Sequence, residues 1–294
     1  MKRFFLLLTL LLLLGPVRAA AQDTPADFLR RYGNLVQRVG ADGVGVETLL
    51  DKWQAAFPDD PQQYLGRFSF CFSRARTSKV IQLDRDRYLG NAPILPMTDS
   101  LGHKCNYFED PVYDDDLYAA ANQAIDKAIG LRPLRLDYRQ LKITAMLAYE
   151  KEAPEMTFAA LKDLVTEHAT KHPVWEMEGM EEVSDEQFKA FMQDYCVAFF
   201  RLGSDISAEV FKAFSEFLLG YWKDEPLFLD NLGSYYLVKK DFKKAQKYYD
   251  KVLRKHPDDL TALQNCVLLA RQKKDAKLEK KYRALWEAAV AKEQ

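Results

Sequence analysis

Apolar residues recur at three- and four-residue intervals along most of the chain after residue 22, the period of helices with one buried face. "TPADFLRRYGNLVQRV" opens on Thr24 and Pro25, an N-cap and a first-turn proline, and sets Phe28, Leu29, Leu35 and Val36 on one side. "VETLLDKWQAAFPDDPQQYLGRFSFCFSRA" reads as two helices broken at Pro58 and Pro61, which cannot sit in a helix interior. "DDDLYAAANQAIDKAIGLRP" starts a further helix, with Asp114–Asp116 complementing the positive end of its dipole. Helices are then predicted over 137–151, 156–172, 184–203 and 206–222, with "PVWEMEGMEEV" as a polar link. From Pro226 onward the pattern is helical, interrupted at "KKD" and "HPDD". The exception is 77–111, rich in Gly, Pro and Asp and without a 3.6-residue period; "APILPMT" and "KCNYFED" flank "DSLGH" there, which predicts a β-hairpin turn inside an insertion.

The C-terminal pattern repeats. Shifted by 34 residues, Leu229 meets Leu263, Asn231 meets Asn265 and "KKD" at 239–241 meets "KKD" at 273–275. Lys243, Lys247 and Tyr248 meet Lys277, Lys281 and Tyr282. The unit is a helical hairpin: Leu229, Leu232 and Tyr236 form one stripe, Gly233 and Ala245 let the two helices approach, Tyr249 and Val252 fill the contact, and Pro257 ends it. One hairpin cannot bury its own apolar face, so neighbours must stack on it.

With Leu232, Gly233, Tyr236, Ala245, Tyr249 and Pro257 at these spacings, the segment resembles a tetratricopeptide repeat, although Leu229 stands where that family often has Trp. The next unit, 260–293, keeps the offset but has Val267 at the Gly position and Glu279 at the Ala position, as a capping repeat would. Upstream, Ala121, Ile125, Ala128 and Pro133 reproduce the second-helix spacing, with a first helix displaced by the insertion to "YLGRFSFCF". The resemblance implies an all-α solenoid of helical hairpins with a small β-hairpin insertion: a degenerate region over 22–222 and C-terminal repeats over 223–294. It also implies a protein or peptide partner held in a concave groove lined by the first helix of each hairpin. Carried onto this chain, the groove positions are Leu227, Asp230, Asn231, Ser234 and Leu237, then Thr261, Gln264, Asn265, Leu268 and Arg271. Asn231 and Asn265 are the sharpest pair, since an amide offers both donor and acceptor to an extended backbone; surface residues without a ligand are the alternative. The family's carboxylate clamp is not matched, because Asp230 and Ser234 occupy the places of its Lys and Asn.

Residues 1–21 stand apart as a leader. "MKR", the apolar Phe4–Leu14 and a small-residue end with Ala19 and Ala21 read as a signal peptide cleaved before Gln22. The apolar run is shorter than the roughly 20 residues that span a bilayer. Cleavage removes Lys2, Arg3 and Arg18 and takes the formal charge from −1 to −4. Leader and repeat together resemble exported bacterial, Bacteroidetes-like tetratricopeptide proteins, which places the chain in the periplasm or outside the cell, without a membrane anchor after cleavage. The implied partner is another envelope protein.

Composition is globular, 48% hydrophobic and 29% charged, and the near-zero charge gives no reason to expect nucleic acid. In an oxidising compartment Cys71 and Cys105, on either side of the insertion, form a candidate disulfide, with packed free thiols as the alternative. Cys196 and Cys266 lie on apolar stripes and read as core. His168 and His172 share a helix face, but a catalytic zinc site would need a third ligand; two solvated histidines near a helix C-terminus are the simpler reading. Motifs for nucleotide, phosphate or acyl-transfer chemistry are missing, so no catalytic residue, metal or cofactor is expected. The competing reading is an enzyme or metal protein with its site in 77–111.

Overall fold

The computed structural model describes residues 23–293, so the leader expectation falls outside the described residues. Three helices come first: α1 (Pro25–Val39), α2 (Val46–Ala56) and α3 (Pro61–Ala75). Strands β1 (Arg76–Leu83) and β2 (Asn106–Tyr113) follow, and the rest is helical. Its helices are α4 (Asp115–Leu131), α5 (Leu136–Glu150), α6 (Glu155–Lys171), α7 (Asp185–Leu202), α8 (Asp205–Tyr221), α9 (Pro226–Val238), α10 (Phe242–Lys255), α11 (Leu260–Gln272) and α12 (Ala276–Glu293). The described residues thus form the expected all-α array with one small β insertion. No described helix is long and apolar enough to cross a membrane.

Local chemistry sets the helix ends. Thr24 caps α1 in a reciprocal capping box with Asp27, and Pro25 occupies the first turn. Asp60 and Asp114 cap α3 and α4; Ser184 and Ser204 begin α7 and α8 with capping boxes. The twofold "KKD" has a single backbone explanation. Lys240 and Lys274 both adopt left-handed φ, 60° and 59°. The following Asp N–H then returns to a carbonyl of the preceding helix, Asp241 to Tyr236 at 2.9 Å and Asp275 to Ala270 at 3.0 Å. Each Asp side chain then caps the next helix, accepting from the Lys244 and Leu278 amides.

Burial is organised as three consecutive clusters. Phe28, Leu50, Trp53, Phe68 and Ile125 lead the first, Trp175, Phe188, Phe199 and Phe214 the second, and Tyr249, Val252, Leu263 and Leu269 the third. Adjacent clusters share a helix. α5 gives Tyr138 and Ala145 to the first cluster but Leu136 and Ile143 to the second. α9 gives Phe228 and Tyr235 to the second and Leu229 and Leu237 to the third. Leu29 departs from expectation at 44% exposed, because the α1 stripe turns on Phe28, with Leu35 and Val36 packed at its edge.

The insertion separates two helices that pack on each other, α3 and α4. It contains the expected turn: Asp99 accepts the Gly102 amide, Thr98 bridges Lys104, and Leu95 bridges Tyr107. Its main ladder was not expected. β2 pairs antiparallel with β1, from Arg76 opposite Tyr113 to Leu83 opposite Asn106. The segment "RTSKVIQL" conceals this because its exposed positions carry polar and charged side chains beside Val80.

That register corrects the disulfide expectation. Cys105 lies beyond the Leu83–Asn106 end of the ladder, roughly 24 Å along the strands from the α3 junction. A bridge requires Cα atoms within about 7 Å. Cys71 is instead buried in the first cluster, and all four cysteines are free thiols. The "PVWEMEGMEEV" segment is also more than a polar link: Trp175 is fully buried, and Glu176 exchanges backbone hydrogen bonds with Leu134 and Leu136 at 2.9 Å each.

Gly233 is the tightest approach in the α9–α10 hairpin. A Cβ there would sit 2.3–2.8 Å from three Tyr249 ring atoms. One repeat later the ring is replaced by exposed Arg283 and the glycine by Val267, so the two positions change together. Gly233→Ala is expected to cost about 2 kcal/mol or more in urea unfolding, and Gly233→Ala with Tyr249→Leu to recover part of that loss.

Candidate functional site

The first helices of the C-terminal hairpins lie side by side, and their facing stripes hold the residues predicted to line a groove. On α9 these are Leu227, Asp230, Asn231 and Ser234; on α11 they are Thr261, Gln264, Asn265, Leu268 and Arg271. The structure divides them sharply. Gln264 and Thr261 are exposed, and Leu227 and Leu268 are each 40% exposed despite being large apolar residues. Leu237 is buried in the third cluster, and its neighbour Val238 takes the open position at 61%.

The two asparagines are engaged within the fold. Asn231 is buried and exchanges two hydrogen bonds with Gln193 of α7, donating at 2.7 Å and accepting at 2.9 Å. Asn265 donates to Ser234 Oγ at 3.3 Å, and Ser234 lies 3.5 Å from the Tyr249 hydroxyl. These contacts join α7, α9 and α11 laterally and bring a third helix to the face. The 34-residue repeat gives no sign of Gln193, which precedes Asn231 by 38 residues. Arg271 is also committed: its guanidinium meets Glu279 of α12 at 3.1 Å, and Arg283 meets the same carboxylate at 2.7 Å. Those two arginines hold the Glu279 carboxyl below its ordinary range.

Asp230 is the anomaly of this face. It is 5% exposed, and its Oδ1 is buried without a hydrogen-bond partner. Burial, reinforced by the nearby Asp259 charge, pushes its carboxyl up to about 8. The group is therefore mostly a neutral acid at pH 7, a donor as well as an acceptor.

Two other clusters bear on chemistry. The insertion closes a cavity of about 660 Å³ against α3 and α5, lined by Phe72, Arg76, Tyr88, Phe108, Tyr113 and Lys151. Below it Asp110 accepts from the Tyr88 hydroxyl and from Lys151, both at 2.7 Å. Burial would raise the Asp110 carboxyl, but those two bonds outweigh it and hold the group low. His103 and Asp99 are 3.1 Å apart in the turn, away from any cysteine pairing. Among the described residues, no group of three or more His, Cys, Asp and Glu is arranged to hold a metal ion.

His168 is not the solvated surface residue expected. Its ring stacks on Phe188 at 3.7 Å between centroids, accepts the Trp175 indole N–H at Nδ1 (3.1 Å) and reaches Asp185 from Nε2 (3.0 Å). Accepting at Nδ1 assigns the proton to Nε2, so the ring joins the 173–183 segment to α7. His172 instead terminates α6 with a left-handed φ of 47°. Burial raises the Cys196 and Cys266 thiols to about 12, which makes them packing groups.

No family model matches the chain, and no curated protein matches it. Among the solved structures it is similar to are PilW and PilF. PilW, described as a widely conserved type IV pilus biogenesis factor, is 10% identical with a TM-score of 0.39, over 91% of this chain and 94% of its own. Pseudomonas aeruginosa PilF is 10% identical with a TM-score of 0.36, over 91% of this chain and 97% of its own. At that level of likeness neither says what this chain binds.

Asp230 gives a pH dependence whose sign is fixed. Its folded-state carboxyl titrates near 8 and its unfolded one near 3.8, so the folded protein holds the extra proton between those values. Its stabilising effect is complete below the unfolded value and is lost as pH rises through 8. Asp230→Asn removes the slope: its melting temperature should exceed that of the parent by roughly 4–8 °C at pH 9, and the gap should narrow at pH 5. Melts of both proteins at the two pH values check this.

Proposed function

We propose that this chain is an exported, non-enzymatic scaffold that binds an extended segment of another envelope protein across the adjoining faces of α7, α9 and α11. The observation supporting it most is a set of exposed apolar side chains on α7, α9 and α11: Phe200, Leu227, Val238 and Leu268, at 42%, 40%, 61% and 40%. Polar groups between them are already fixed by Gln193–Asn231 and Ser234–Asn265, so the face is preorganised and little side-chain entropy remains to be lost on binding. The exposed Gln264 amide supplies hydrogen-bonding capacity for a partner backbone. Export rests on the leader in residues 1–21, and the repeat spacing supports the scaffold role.

The asparagines are poor probes, because replacing Asn231 strands the Gln193 amide. Leu268→Glu combined with Gln264→Arg alters only the exposed side chains and should leave the thermal melt within about 1–2 °C of the parent. Crosslinking in the native envelope should then lose the captured segment by about tenfold, whereas Val44→Glu, at a site 93% exposed elsewhere, should leave capture unchanged. Equal capture by all three proteins would exclude this face.

A further inference from the structure

The second helices of the C-terminal hairpins, α10 and α12, border a groove of about 950 Å³ with the α11 residue Leu263 in its floor. Phe242, Leu253 and Tyr282 continue the apolar floor. The walls are cationic. Lys243, Lys247, Lys273 and Lys281 all line the groove, and none has a carboxylate within salt-bridge distance among the described residues. Asp250 is the one acidic lining residue, and it accepts from Gln246.

This groove belongs to a larger separation of charge. Residues 239–294 hold 16 Lys and Arg against 8 Asp and Glu, a net of +8. Residues 23–238 hold 23 against 35, a net of −12. The near-neutral total therefore conceals a cationic end.

We propose that this groove is a second docking surface, distinct from the α7–α9–α11 face, for an acidic amphipathic helix of a partner protein. Complementarity on two counts selects that occupant. Its carboxylates meet four lysines left unpaired by the fold, and its apolar stripe meets the Phe242–Leu253–Leu263 floor. A flat anionic bilayer would meet the rim but not the recessed floor. A nucleic acid backbone would leave that aliphatic floor uncovered.

The probe is a fluorescein-labelled helical peptide of leucine and glutamate, with a leucine–lysine peptide of the same length as its sign-reversed partner. Fluorescence anisotropy should show saturable binding of the acidic peptide alone, weakening about tenfold between 50 and 300 mM NaCl. Lys243→Glu with Lys247→Glu should weaken binding about tenfold or more, and Lys243→Gln with Lys247→Gln about threefold. Lys277→Glu with Lys280→Glu makes the same charge change outside the groove and should shift binding less than about twofold. Leu285→Ser removes an apolar lining residue without a charge change and should also weaken it. Equal losses from the two glutamate pairs would mean unspecific charge attraction and overturn the site. So would indifference to Leu285→Ser, or stronger binding to phosphatidylglycerol vesicles or duplex DNA than to the peptide.

Discussion

A helical hairpin leaves one apolar face that its two helices cannot cover for each other, and the whole chain is arranged around that deficit. α5 and α9 meet it by serving two cores each. On α9, Phe228 and Tyr235 point into the second cluster while Leu229 and Leu237 point into the third. A helix used on both sides has little surface left, which is why eight of the thirteen α9 residues are buried, Asp230 and Asn231 among them. Close approach then becomes a steric requirement at Gly233, where the Tyr249 ring occupies the space a side chain would need. Cooperativity between neighbouring units follows, since no cluster can open without exposing half of a shared helix.

Burial on two sides also explains the polar residues of the first-helix face. An amide enclosed between helices must find a partner or pay a desolvation cost of about 1–3 kcal/mol. Asn231 finds Gln193 and Asn265 finds Ser234, so the side chains that look most like ligand contacts hold the helices side by side. Asp230 finds no such partner and avoids the cost of a buried charge by keeping its proton. What remains for a partner is the set the fold does not consume: Gln264, Leu268, Leu227 and Val238.

Much of this architecture was legible in the sequence because its causes are local. Helix starts follow from Thr24, Asp60, Asp114 and Ser184, and the hairpin turns follow from "KKD", where one Lys turns left-handed and the Asp caps the next helix. Features set by tertiary partners were not legible. β1 carries no alternating pattern, since its pairing is fixed by β2 and nearly all its side chains face water. His168 reads as an ordinary helix-end residue until Trp175 and Phe188 arrive from a segment that looks like a linker. Cys71 and Cys105 bracket an insertion, which favours a bridge on sequence grounds, yet the ladder between them carries the second thiol away. The groove positions on α9 and α11 could be assigned to a face by spacing alone, but spacing cannot distinguish a side chain that meets a partner from one that meets a neighbouring helix.

The charge separation is hidden in the sequence total for a related reason. A total of −1 says nothing of how the charges are distributed. In a stacked array packed helices are spaced by about 8–10 Å, while ions screen exposed charges beyond about 8 Å. Carboxylates beyond that distance therefore do little to neutralise the groove lysines Lys243, Lys247, Lys273 and Lys281, which have none within salt-bridge distance among the described residues. Their field acts on whatever approaches that end, independently of the other face. Two surfaces of different chemistry can thus coexist on one small chain: a preorganised, largely uncharged face on α7, α9 and α11, and a cationic groove on α10 and α12. The same stacking that forces α9 to bury both its sides presents these two surfaces on different helices of each hairpin.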